Sequence, residues 1–188
     1  QHIEPLSVIA LYNIAVSRMN GYRFAGALAA FDELLELEPD HGNSLIGRFF
    51  ALAGLNRLEE ARAQARLASQ AGVVGADELN FYDACCAHWA GDAARARELH
   101  FREDTLALCA REPAYAVLRL VHLGQQDEAL AQVQRMHEDA DPSLVVVFGS
   151  RNGLDTRRDP RIDAIALSLG WRPLQQMLGG IRIACHAV

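Results

Sequence analysis

Three arginines, Arg157, Arg158 and Arg161, crowd an Asp159-Pro160 pair near the end of the chain. A guanidinium cluster of this kind is suited to gripping a phosphate or carboxylate, because each planar fork offers paired donors to two oxygens. The residues around it point to a structural role. Asp159 is a good helix N-cap, Pro160 suits the first helical position, and Ile162, Ile165, Ala166 and Leu169 share one face before Gly170 ends it. The expectation is a terminal helix docked through that face, its arginines satisfying nearby carboxylates or carbonyls. An anion site is the alternative.

Other clusters invite chemistry and lack part of what it needs. In "CCAHW", Cys85 and His88 stand three apart, one face of a helix. A zinc site needs three or four ligands with a supporting shell, and no second pair at ligand spacing accompanies them. "HEDAD" (137–141) gathers three carboxylates beside a histidine without the glycine turn and distal glutamate of a calcium loop. "FGSRNG" (148–153) follows an apolar run but lacks the lysine close of a phosphate loop and the glycine spacing of a dinucleotide fingerprint. No serine or cysteine comes with a recognisable base and orienting carboxylate. The expectation is a non-enzyme with no cofactor and no metal.

Composition narrows the partners. With 188 residues, 51% of them hydrophobic, the chain can bury one ordinary core. A formal charge of -6 repels phosphate backbones, so neither nucleic acid nor an anionic membrane is expected as partner. No apolar run approaches the roughly 20 residues of a bilayer span. Cys85, Cys86, Cys109 and Cys185 include no C-x-x-C pair, and adjacent helical cysteines diverge by about 100°. They read as reduced, apolar residues of a cytoplasmic protein, with a secreted form held by one long-range disulfide as the alternative. The chain begins with Gln1, which reads as a fragment or a processed product.

The elements that would position any site emerge from an internal repeat. "RFAGALAAFDELLELEPD" (23–40) matches "RLEEARAQARLASQAGVV" (57–74), pairing Ala27 with Ala61, Phe31 with Ala65 and Leu34 with Ala68. Leu11 and Leu45 keep the same offset in the preceding helices. Gly91-Asp92 before Ala96 marks a third unit, and Gly124 before Ala129 and Val133 a fourth. The interval from Ala61 to Ala96 is one residue longer than 34 and that from Ala96 to Ala129 one shorter. Pro113 fits the first turn of a helix reaching about His122, Pro39 and Pro142 punctuate unit ends, and "SLVVVF" (143–148) is read as helix rather than strand. The spacing predicts an all-α chain.

A period of about 34 residues, with helix, turn, helix and small residues at the crossings, resembles the tetratricopeptide repeat (TPR) family. The resemblance covers 6–141, carried by Ala27-x3-Phe31 and Pro39, by Leu55 to Ala61 with Ala65 and Ala68, and by Leu123-Gly124-x4-Ala129. It implies a right-handed α-α superhelix of about four helical hairpins. Residues 142–171 are then capping helices and 172–188 a tail that forms a further helix or packs on another subunit. It also implies a concave groove lined by first helices. At the literal register the lining is Tyr12, Asn13, Val16, Asn43, Ile46, Phe50, Asn80, Phe81, Ala84, Tyr115 and Leu118.

Some family members grip a C-terminal carboxylate with basic and amide residues. The matching places here hold Tyr12, Val16, Gly47, Asp77 and Phe81, so an apolar or helical partner segment is expected instead. "LDTRRDPRIDAIALSLGW" is similar to the closing segment after such repeats in bacterial multidomain regulators, through Arg157, Asp159-Pro160-Arg161, Ile162, Ile165 and Leu169-Gly170. That implies a protein-protein interaction scaffold or sensor from the C-terminal part of a signalling or transcription regulator. A free-standing adaptor of a secretion, envelope or chaperone-like complex is the second reading, and an enzyme with an unrecognised groove site the third. Oligomeric state stays open, a homodimer included.

Overall fold

The computed structural model describes residues 5–144 together with 147, 161, 164, 165 and 168. The chain divides into two compact units, Gln1–Gly153 and Leu154–Val188. In the first, the described residues form nine helices and no strand: α1 (Pro5–Asn20), α2 (Phe24–Leu37), α3 (Gly42–Gly54), α4 (Leu58–Gln70), α5 (Ala76–Trp89), α6 (Ala93–His100), α7 (Glu103–Arg111), α8 (Pro113–His122) and α9 (Gln126–Glu138). The all-α expectation holds, and α8 begins at Pro113 and ends at His122 as its sequence suggests.

The repeat is written in the backbone. Four hairpin turns each contain one left-handed residue: Tyr22, Asn56, Gly91 and Gly124, at intervals of 34, 35 and 33. In every case its N–H donates to the carbonyl three residues back, and the next N–H donates five back, to Arg18, Leu52, Ala87 and Leu120. These bonds satisfy carbonyls that the ending helix leaves without partners. Five residues after each left-handed position stand Ala27, Ala61, Ala96 and Ala129, all buried. A methyl is all the side chain the second helix carries there, which lets it approach the first closely.

The core lies between successive helices, around Phe31, Phe49, Phe81, Tyr82, Leu108 and Leu118. Two glycines of α3 are sockets: a Cβ on Gly47 would lie 2.3 Å from the Phe31 ring and one on Gly54 2.4 Å from the Phe24 ring. The buried Gln64 ties three helices together. Its amide donates to the Leu45 carbonyl and its oxygen accepts from Arg48, which also donates to Asp32 at 2.6 Å. Burying that amide is tolerable because both ends are bonded.

The third unit departs from the pattern. Its second helix breaks at Phe101–Arg102 and continues as α7, a helix the sequence reading left without an assignment after Ala96. Asn80 donates to Asp104 and Arg111 pairs with Asp77, so α7 runs back to the start of α5. Of the run 143–148, Leu144 and Val147 are helical and buried. In the second unit Arg161, Ala164, Ile165 and Ser168 are helical, Ile165 buried and Arg161 exposed. The remainder of the expected cap, the "FGSRNG" stretch, Cys185 and the 172–188 tail lie outside the described residues.

Candidate functional site

The left-handed turn residues give a structural ruler for the first helices of the units. Ten positions before them stand Tyr12, Ile46, Phe81 and Ala114; six before stand Val16, Phe50, Cys85 and Leu118. On α1 and α3 these side chains are half-exposed, whereas Phe81, Cys85, Ala114 and Leu118 are buried. The apolar surface is therefore open over the first two units and closed over the last two.

Three residues expected to line a groove are core residues. Phe81, Ala84 and Leu118 are 0, 0 and 1% exposed, so a partner cannot touch them without opening the fold. The literal 34-residue spacing fails at α5 because the turn interval there is 35. One residue is about 100° on a helix, and Asn80 and Ala84 are turned aside by that amount. Asn80 instead holds Asp104 of α7, at 2.7 Å. Helix α5 is also enclosed on most sides, burying Phe81, Tyr82, Ala84, Cys85, Cys86 and Ala87. Its run "ACCA" carried the signal, since a helix apolar all round is a central one.

The open part is a continuous surface. Tyr12 of α1 rests 6.5 Å from the Phe31 ring and 5.5 Å from His41 at the start of α3. Phe50 contacts Phe49 and Tyr82 edge-on, with ring centroids 5.0 and 5.9 Å away. Val16 and Ile46 are half-exposed, Asn13 and Asn43 exposed, and Ile9, one turn above Tyr12, is 58% exposed. Partial burial of Tyr12 raises its phenol above the ordinary range, so it presents a neutral ring with a hydroxyl. The surface is apolar with amides at its edge.

Tyr115 closes the other end. Its hydroxyl donates to Glu78 Oε1 at 2.8 Å and lies 3.0 Å from the Tyr82 hydroxyl, while its ring is 4.8 Å from Phe81. Burial pushes both phenols well above the usual range. Glu78 is fixed in turn by the Gly75 N–H, which it accepts at the start of α5. This chain of hydroxyls holds α8 against α5.

A cluster that sequence spacing could not reveal joins α5, α6 and α8. His88 stacks on His122 at 4.0 Å, and His100 Nε2 lies 3.1 Å from His122 Nδ1. The Arg119 guanidinium donates to the His100 carbonyl. Burial holds His122 well below the usual imidazole range and His100 down to about 4, with Arg119 and His88 adding to the latter. His100 Nδ1 and His122 Nε2 have no hydrogen-bond partner among the described residues. His88 therefore belongs with imidazoles, not with Cys85 as the "CCAHW" spacing allowed.

The thiols are poor nucleophiles. Desolvation raises Cys85 well above the normal thiol range, Cys86 to about 12 and Cys109 to about 11, and all three are free. A neutral buried thiol is inert. Among the described residues, no three or more His, Cys, Asp or Glu side chains are grouped to hold a metal, and no helix is long and apolar enough to cross a membrane. In "HEDAD", Asp141 accepts from the Ser143 N–H and hydroxyl just past α9. Comparison with known proteins adds nothing further: no family model, curated protein or solved structure matches the chain.

Proposed function

We propose that the chain is a non-catalytic protein-binding module of the tetratricopeptide class, its hairpins stacked as a right-handed superhelix, and that the α1–α3 surface receives an apolar helical segment of a partner. One observation carries the reading. Equivalent positions are filled by the protein's own packing in the third and fourth units, but Tyr12, Val16, Ile46 and Phe50 remain half-exposed in the first two. Residues spaced four apart on two neighbouring helices make a trough that suits anchors at i, i+3 and i+4 of an amphipathic helix. The small-residue repeat and the recurring turn support the class.

The similarity of the 154–171 segment to the ends of such modules supports a role as the C-terminal sensor or scaffold of a bacterial signalling or transcription regulator. A free-standing adaptor of a secretion, envelope or chaperone-like complex is the second reading, separated from the first by whether the gene encodes a DNA-binding or cyclase domain ahead of Gln1. The surface itself is tested by placing a photo-crosslinking residue at position 50 or 16 and mapping the captured peptide. Val16→Ser should then weaken that peptide about tenfold with little change in melting temperature, and Phe50→Ser should weaken it as much while lowering the melting temperature, because its ring also packs on Phe49 and Tyr82; Ile14→Ser leaves affinity intact. Unchanged affinity in the folded Phe50 and Val16 variants rejects the surface.

A further inference from the structure

A cleft of about 260 Å³ lies on another part of the molecule, lined by Arg62 and Arg66 of α4, Asp83 and Ala87 of α5, and Arg95 and Leu99 of α6. None of these residues belongs to the apolar surface of α1 and α3. We propose that this cleft binds a small ligand through a phosphate-type oxyanion.

Each lining pair is one helical turn apart, so three helices each present two residues to the same space. The first wall offers two guanidinium forks and the second a third, above a floor where Ala87 carries only a methyl. Planar forks from two sides are the arrangement that recognises phosphate bidentately. In a chain of net charge -6, three arginines against one carboxylate in a single lining run against the overall field. All eighteen basic side chains of the chain are arginine, so the field at the cleft does not vary with pH in the physiological range.

The guanidiniums are available. Arg66 makes no ion pair among the described residues. Arg62 is held by Glu59 and Arg95 by Glu98, each within one turn of its own helix, and those glutamate side chains are 82 and 64% exposed. Exposed pairs of this kind contribute little and exchange readily for a better acceptor. Asp83 lines the same cleft and supplies an acceptor for a hydroxyl or amine of the ligand, and the cleft volume is several times that of a bare phosphate.

Inorganic phosphate and phenyl phosphate, titrated into the protein at constant ionic strength in chloride, serve as probes. Arginine Nε–Hε resonances and the melting temperature are followed together. Saturable binding is expected with both, with shifts confined to Arg62, Arg66 and Arg95. Arg66→Gln and Arg95→Gln should each weaken binding about tenfold, the loss of one charge-assisted contact. Arg135→Gln on α9 should leave it unchanged. Arg66 makes no ion pair or side-chain hydrogen bond among the described residues, so its variant keeps its melting temperature in chloride. Absence of saturable binding by the wild-type chain, or full affinity in Arg66→Gln and Arg95→Gln, overturns the proposal.

Discussion

At the scale of single residues, the most consequential chemistry is a pair of imidazoles kept neutral. His100 is fully buried and His122 half-buried, their rings joined by one hydrogen bond and faced by His88 from α5 and Arg119 from α8. No carboxylate is among the groups shifting either one. A protonated ring there would stand among positive neighbours without water. In the unfolded chain histidine titrates near 6.5, whereas folded His100 titrates near 4. Above pH 6.5 both states are neutral and the full stability is present; as pH falls toward 4 only the unfolded chain takes up the proton, so folding weakens. The loss from His100 is on the order of 3 kcal/mol, with His122 acting in the same direction. Urea melts at pH 7.5 and 4.5 should show it, and His100→Phe should flatten the pH dependence. A wild-type stability that is constant across that window would mean the rings charge without penalty. The sequence held no hint of this cluster, because His88, His100 and His122 are spaced 12 and 22 residues apart and meet only through tertiary packing.

At the scale of helices, small residues do the positioning. Ala61 is 0% exposed at the point where α4 meets α3, and Ala63, two residues on, faces solvent. Ala61→Leu should therefore lose about 1–3 kcal/mol by overpacking. Ala63→Leu should stay within about 0.5 kcal/mol, since it meets only water. Equal effects in thermal melts would mean that the close crossing is not what the alanine row maintains. This row was legible from sequence, as were the helix ends, because alanine periodicity and glycine or proline punctuation are local signals. The α6–α7 break was not. "LHFREDTL" contains no glycine or proline, and the break is accompanied by Arg97 and Arg119 laid over the Phe101 ring at 5.1 and 4.8 Å, the second from another helix. The one-residue slip at α5 follows from the same limit. Repeat intervals of 35 and 33 were visible at Ala96 and Ala129, but only the left-handed Gly91 shows that the shift rotates the side chains of α5 toward α7 and the core.

At the scale of the molecule, the helices whose backbones run closest together are neighbours or next-but-one in chain order, from α1 with α2 and α3 to α8 with α9. An assembly with such local contacts has the nearest-neighbour energetics of a repeat stack: a lesion weakens its own unit and the adjacent interface most. Gly47 offers a clean lesion, because a methyl there meets the Phe31 ring at 2.3 Å while α3 keeps its helical propensity. Gly47→Ala should cost about 1–3 kcal/mol through displacement of that ring from its socket. Native-state amide exchange would locate the loss. Amides of α1 to α3 should exchange about tenfold faster, and those of α8 and α9, which touch none of the displaced groups, should change little. The α1–α3 surface proposed for partner binding would then be the part that opens first, and the aromatic junction of α5 with α8 the part that holds longest. Uniform acceleration across all helices would instead show that the rings linking Phe50 to Tyr82 and Tyr82 to Tyr115 make the stack one cooperative unit. In that case the open surface would owe its shape to the whole core and not to its own two hairpins.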